Sequence, residues 1–188
     1  MVTVSGYLDG VRALLDAVNE DEVHRLAEHL YEAWRAGKHI LLLGNGGSSG
    51  TASHIVNDLQ KCIQLDTGRA IKAMCLSDCT PLVMAWANDT EFANVYAPQV
   101  ECWGEPGDLM IAISGSGNSP NIIRAVETGN RIGVHTFGLA GFSGGKLAEV
   151  AAECITVRSN NMQQIEDLHM ILLHMVFTLL RERVTRKA

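Results

Sequence analysis

Apolar residues between Tyr7 and Asn19 fall at Leu8, Val11, Leu14, Leu15 and Val18, the spacing of one helix face. Glu20 to Ala36 repeats the pattern with Val23, Leu26, Leu30 and Trp34, and Gly37 stands where a C-cap is expected. Two helices therefore come before any strand, and they are expected to pair antiparallel and pack on the domain or on a partner. From His39 the period changes. Short apolar runs at 39–43, 71–76, 108–113, 134–139 and 154–157 read as strands. Between them lie helical patterns at 48–61, 80–88, 92–102 (with a break near Pro98), 120–131 and 147–152, and a long helix at 161–183 closes the chain. Strands alternating with helices predict an α/β fold whose parallel sheet is covered on both faces. The whole chain, residues 1–188, reads as a single domain.

Two inter-element segments depart from ordinary turn chemistry. The first strand runs into Gly44-Asn45-Gly46-Gly47-Ser48-Ser49-Gly50, and the third into Ser114-Gly115-Ser116-Gly117-Asn118-Ser119. Glycine lets a backbone approach an anion, serine adds hydroxyl donors, and the helix that follows presents its positive dipole end. Tight turns with helix caps would have the same composition. Neither loop ends in the Gly-Lys-Ser/Thr of a P-loop, and the first is spaced G-x-G-x-x-x-G rather than as a dinucleotide fingerprint. A lysine-free serine cradle suits a phosphate monoester better than a nucleoside triphosphate.

His54 and Asp58 follow the first loop at i and i+4, on one helix face. The last helix carries Glu166, His169 and His174, of which Glu166 and His174 are about two turns apart. Two imidazoles and two carboxylates would make a divalent metal site, zinc first. Read singly, each His is equally a hydrogen-bonded structural residue, and Glu166 an acid near a helix start.

Composition narrows the class. Hydrophobic residues at 47% permit a sizeable core, and a net charge of −6 argues against a general nucleic-acid surface. The five cysteines form no CxxC pair, so free thiols in a reducing compartment are expected. No run reaches a membrane span, and the N-terminal stretch lacks a signal pattern, so a cytoplasmic protein is expected.

Four segments taken together, GNGGSSGTASH, AWANDTEFANVYAPQVE, GDLMIAISGSGNSPNIIRAVE and QQIEDLHMILLH, resemble the sugar isomerase (SIS) domain. Within it they are similar to the phosphoheptose isomerases, from about Ser5 to the C-terminus. The resemblance implies a flavodoxin-like three-layer sandwich with a five-stranded parallel sheet. It implies a homotetramer with active sites at subunit interfaces, where the last helix of the same or a neighbouring chain meets His54 and Asp58. It also implies aldose–ketose isomerisation of sedoheptulose 7-phosphate to D-glycero-D-manno-heptose 7-phosphate, assisted by zinc or another divalent ion. Carried over by residue, substrate contacts fall on Asn45, Gly46, Gly47, Ser48, Asn88, Asp89, Ser114, Gly115, Ser116, Ser119 and Glu166. The metal ligands fall on His54, Asp58, Glu166 and His174, and the catalytic groups on Asp58 and His174, with Glu166 as a further carboxylate able to act as base.

The chain departs from that family at three places: Asp58 stands for the usual glutamate, Glu166 for glutamine and Gly115 for threonine. The departures keep open an isomerase of a different sugar phosphate. A non-catalytic sugar-phosphate-binding regulator or scaffold needs the loops without the metal pair. A nucleotide-dependent oxidoreductase rests on the imperfect glycine fingerprint alone.

Overall fold

The computed structural model describes residues 3–186. Of the single-domain reading, Met1, Val2, Lys187 and Ala188 lie outside the described residues. Thr3 opens the first helix, α1 (Val4–Asp16), by accepting the Gly6 N–H on its side-chain oxygen at 3.0 Å. The helix therefore starts and ends three residues earlier than its apolar pattern predicts. Asn19 then caps α2 (Glu20–Ala36), whose first turn is acidic and which ends at Gly37 in the left-handed conformation.

The strands are β1 (His39–Gly44), β2 (Lys72–Cys75), β3 (Leu109–Ser114), β4 (His135–Gly141) and β5 (Glu153–Val157). All neighbours pair in parallel, in the order β2-β1-β3-β4-β5. Ile40 stands opposite Leu109 and Leu42 opposite Ile111. Such strands are buried on both faces, which explains why they read as unbroken apolar runs and not as alternation.

After β1 the chain forms α3 (Gly46–Asn57), a wider π-type turn (Asp58–Cys62) and α4 (Ile63–Thr67). Between β2 and β3 come α5 (Thr80–Asp89), a 3₁₀ turn (Phe92–Asn94) and α6 (Ala97–Trp103), with Pro98 in the first turn of α6. The break foreseen near Pro98 thus falls just before it, where a missing N–H costs least. Then follow α7 (Pro120–Ile132), α8 (Gly145–Val150) and α9 (Met162–Thr185). On one face of the sheet Ile40, Leu42, Ile111, Ile113 and Phe137 pack with α2, α3 and α9. On the other, Leu41, Leu43, Met110 and Ala112 pack with α6, α7 and α8. The result is a three-layer α/β sandwich. α1 and α2 both pack on α9, so of the two placements expected for them it is the domain that they cover.

His169 ties α9 to the sheet. The residue is buried, and its Nε2 lies 3.0 Å from the Ala140 carbonyl at the end of β4. Burial holds its pKa below the ordinary 6.5, partly offset by the bond to Ala140. Below pH 6.5 the unfolded chain therefore binds a proton at this residue that the folded chain resists, so stability falls as pH drops through that value. The thermal midpoint should decline on acidification from neutrality, and His169→Gln, which keeps a donor for Ala140, should decline less steeply. Parallel pH profiles for the two proteins would contradict this role for His169.

Candidate functional site

In this strand order the chain reverses direction of travel between β1 and β3, since β1's other neighbour is β2. Crevices at such switch points, at the carboxyl ends of the strands, are where open α/β sheets bind ligands. The two glycine-serine segments both sit there. The first is shorter than its composition implies: α3 starts at Gly46, so most of GGSSG is the opening of a helix and not a loop.

Neither helix entering the crevice is capped by its N-cap side chain, Asn45 for α3 and Ser119 for α7. The Asn45 amide is committed elsewhere, exchanging reciprocal hydrogen bonds of 2.9 and 2.8 Å with Asn121 on α7. Tyr96 adds a phenol that donates to the Gly44 carbonyl at 2.6 Å. Burial, then the neighbouring Cys75, pushes the Tyr96 pKa up to about 12, so that donor persists across the neutral range. The two helix starts are thereby locked side by side. The first-turn N–H groups of α3 carry no side-chain cap, an arrangement suited to an anion, whereas in α7 Pro120 has no N–H and the Ile122 N–H donates to Asn121 Oδ1 at 3.0 Å.

In the second segment Ser114 Oγ donates to Ser119 Oγ at 3.4 Å, and the Asn118 N–H donates to Ser116 Oγ at 3.2 Å. The segment after β4 braces it. Gly141 N–H donates to the Gly115 carbonyl at 3.0 Å, and Leu147 N–H to the Gly117 carbonyl at 2.8 Å.

The start of α9 touches both segments. A side chain at Gly47 would lie 3.1 Å from both carboxylate oxygens of Glu166, so this acid rests against the first turn of α3. A side chain at Gly115 would lie 2.5 Å from the Met162 sulfur, so Met162 fills that space.

Further along the same two helices, His54 Nε2 lies 2.9 Å from His174 Nε2. Asp58 Oδ2 lies 3.5 Å from His54 and 3.7 Å from His174. One ligand atom from each of the three falls within 4.8 Å of the others, and the donor set of two imidazoles and a carboxylate fits a zinc-type ion. α9 meets α3 within one chain here. Glu166, expected as a fourth ligand, stands outside this group. Its separation of two helical turns from His174 leaves it free to turn back to Gly47. Asp58 opens the π-type turn, a distortion frequent where helices carry functional groups.

Asn88 and Asp89 lie exposed at the end of α5, where the Asn88 amide donates to Asp89 at 2.8 Å. That bond joins the two residues to each other and not to the crevice. His169 belongs to the core and not to the ion. Residues that spacing did not reveal include Tyr96 and Asn121, which hold the crevice together. Another is Ser77 after β2, whose Oγ accepts from Ser49 at 2.8 Å. Asn121, one residue into a helix after a proline, carries a weak signal of this kind; Tyr96 and Ser77 carry none.

Residues 6–141 match the SIS domain. The probable phosphoheptose isomerase of Thermoplasma acidophilum is 34% identical over 175 residues, covering 93% of this chain and 95% of that protein. The phosphoheptose isomerase of Akkermansia muciniphila is 33% identical, covering 96% and 94%. Among solved structures, the phosphoheptose isomerase of Neisseria gonorrhoeae superposes with a TM-score of 0.86 at 28% identity, covering 95% of this chain and 96% of that one.

The contact at Gly115 has a direct consequence. A side chain at Gly115 meets only the flexible end of half-buried Met162, which can turn aside, so Gly115→Thr should cost less than about 1 kcal/mol, as read from urea midpoints. A loss well above that, relieved by Met162→Ala, would show that Met162 is held rigidly in that space.

Proposed function

We propose that this chain, which belongs to the phosphoheptose isomerase family of SIS domain proteins, interconverts sedoheptulose 7-phosphate and D-glycero-D-manno-heptose 7-phosphate. One observation carries the reading: α3 and α9 run side by side from the crevice at the starts of α3 and α7 to a group of two imidazoles and a carboxylate. Gly47 and His54 on α3, and Glu166 and His174 on α9, mark the two ends. Eight residues of helix span about 12 Å. An open-chain sugar with phosphate at one end and the reacting carbonyl at the other fits along such a seam.

Phosphate belongs with the second segment, on Ser114, Ser116 and Ser119 and the backbone around Gly115. Glu166 places a negative charge against Gly47, so the first segment (Asn45, Gly46, Gly47 and Ser48) is better matched to hydroxyl groups than to a dianion. Glu166 accepts from sugar hydroxyls there. At the far end Asp58 and His174 form the proton-transfer pair. Asp58 Oδ2 faces both imidazoles, and Oδ1, which accepts from the Asn57 amide at 3.5 Å, is the atom to take a proton from the carbon beside the carbonyl. His174 returns a proton to the neighbouring oxygen or carbon as the enediol collapses. His54, Asp58 and His174 would hold a divalent ion, with zinc the first candidate. Bound there, it would supply positive charge for the oxygens of the reacting carbons.

Asn88 and Asp89 reach substrate from a neighbouring subunit of a homotetramer. Helix α5 has no buried residue and exposes Leu82 and Met84, as a face covered by another copy would. A cytoplasmic setting agrees with free Cys79 and Cys102 on the surface.

Isomerisation of sedoheptulose 7-phosphate by metal-stripped protein should be negligible and return with zinc. Asp58→Asn and His174→Gln should each lower kcat by about 10²–10⁴-fold. Glu166→Gln should act mainly on KM, leaving kcat within about tenfold. A Glu166→Gln loss as large as that of Asp58→Asn would move the base to Glu166. Wild-type protein that binds the sugar phosphate without turning it over would favour the non-catalytic binding module.

A further inference from the structure

At the opposite end of the sheet, three more potential ligands meet. His135 is the first residue of β4 and Glu153 the first of the adjacent β5. Glu153 stands opposite Phe137, so His135, two residues earlier, projects from the same face. α2 covers that face and brings His29, whose Nε2 lies 2.6 Å from Glu153 Oε1. His135 Nε2 lies 3.2 Å from the same oxygen. The two imidazoles are in contact, with ring centroids 4.1 Å apart.

We propose that His29, His135 and Glu153 form a second divalent-metal site, of zinc type, distinct from the crevice. Two imidazoles and a carboxylate are a complete three-ligand set with a fourth position left to water. All three offer an atom within 4.8 Å of the others. Their side chains are 33%, 35% and 25% exposed, enough for an ion to enter and for water to complete its shell. The carboxylate is oriented from outside: Arg25, one helical turn before His29, holds the second oxygen of Glu153 at 3.0 Å. That leaves Oε1 aimed at the imidazoles, the arrangement an outer-shell partner supplies to a ligand.

The other charged groups nearby are committed. Lys38 donates to the Pro106 carbonyl at 2.7 Å, and the buried Asp108 carboxylate accepts the N–H groups of His39 and Glu105, each at 2.8 Å. The two clusters share no residue and form separate three-ligand groups, so each would take its own ion. An ion here would pin α2 to β4 and β5 and stabilise the folded state by mass action.

The test uses the full-length, metal-stripped protein and Zn²⁺ alone. Two equivalents per chain should bind. His54→Ala/His174→Ala should retain one, and so should His29→Gln/His135→Gln, which should also keep its turnover. The second equivalent should raise the thermal midpoint of wild type and of the His54/His174 variant, but not of the His29/His135 variant. His29→Gln alone, on the half-exposed face of α2, serves if the double variant misfolds, and it should weaken the second equivalent at least tenfold. A single equivalent lost entirely with His54 and His174 would overturn the proposal and leave an imidazole–carboxylate hydrogen-bond cluster only. Undiminished binding in the His29/His135 variant would do the same. Neither result bears on whether the crevice isomerises a sugar phosphate.

Discussion

The lie of α9 against the sheet and against α3 sets the geometry of the crevice. Ile165, Leu168, Leu172, Leu173, Val176 and Leu180 are buried in one core with Ile55, Leu59 and Ile63 of the facing segment. This apolar seam fixes which polar residues remain on the open side: Glu166 above and His174 below. Rotating α9 by one residue would turn both away by about 100°. The interaction that makes the site is therefore hydrophobic, although every group proposed for chemistry is polar. His169 adds a polar register mark, since only one rotation of the helix brings its ring to the Ala140 carbonyl.

Much of this was legible in the chain. The five strands and the alternation that makes them parallel follow from short apolar runs separated by helical patterns. His54 and Asp58 were visible as a pair because four residues bring side chains onto one helix face. Glu166 shows where such reasoning stops. Spacing on α9 makes it a neighbour of His174 in projection, yet a glutamate has enough torsions to turn toward Gly47, where uncapped N–H groups and a helix dipole favour its charge. The helical pattern read from Ser48 begins two residues after the observed start at Gly46, since glycines are poor helix formers, a cost that matters little at a first turn. The cluster of His29, His135 and Glu153 was invisible for another reason. Its members come from three elements more than 100 positions apart in part, and only the strand register and the seat of α2 unite them.

The three departures that the family resemblance marks, at Gly115, Glu166 and Asp58, are best understood together. At Gly115 a side chain is absent, and Met162 takes the volume. At Glu166, one turn along the same helix, a charge is present where the family resemblance leads one to expect a neutral amide. Both positions bear on the glycine-serine segments, and both do so through the first turn of α9. The far end keeps its two imidazoles and a carboxylate, shortened by one methylene at Asp58. A shorter carboxylate reaches less far from α3, but here α9 approaches closely enough that His174 still lies 3.7 Å from it. On the proposed reading the proton-transfer end thus keeps its donor set, while the changed positions meet at the first turn of α9. Substrate choice in this protein should accordingly be governed by how Glu166, Met162 and the serines of the second segment share the phosphate end, and not by the proton-transfer pair.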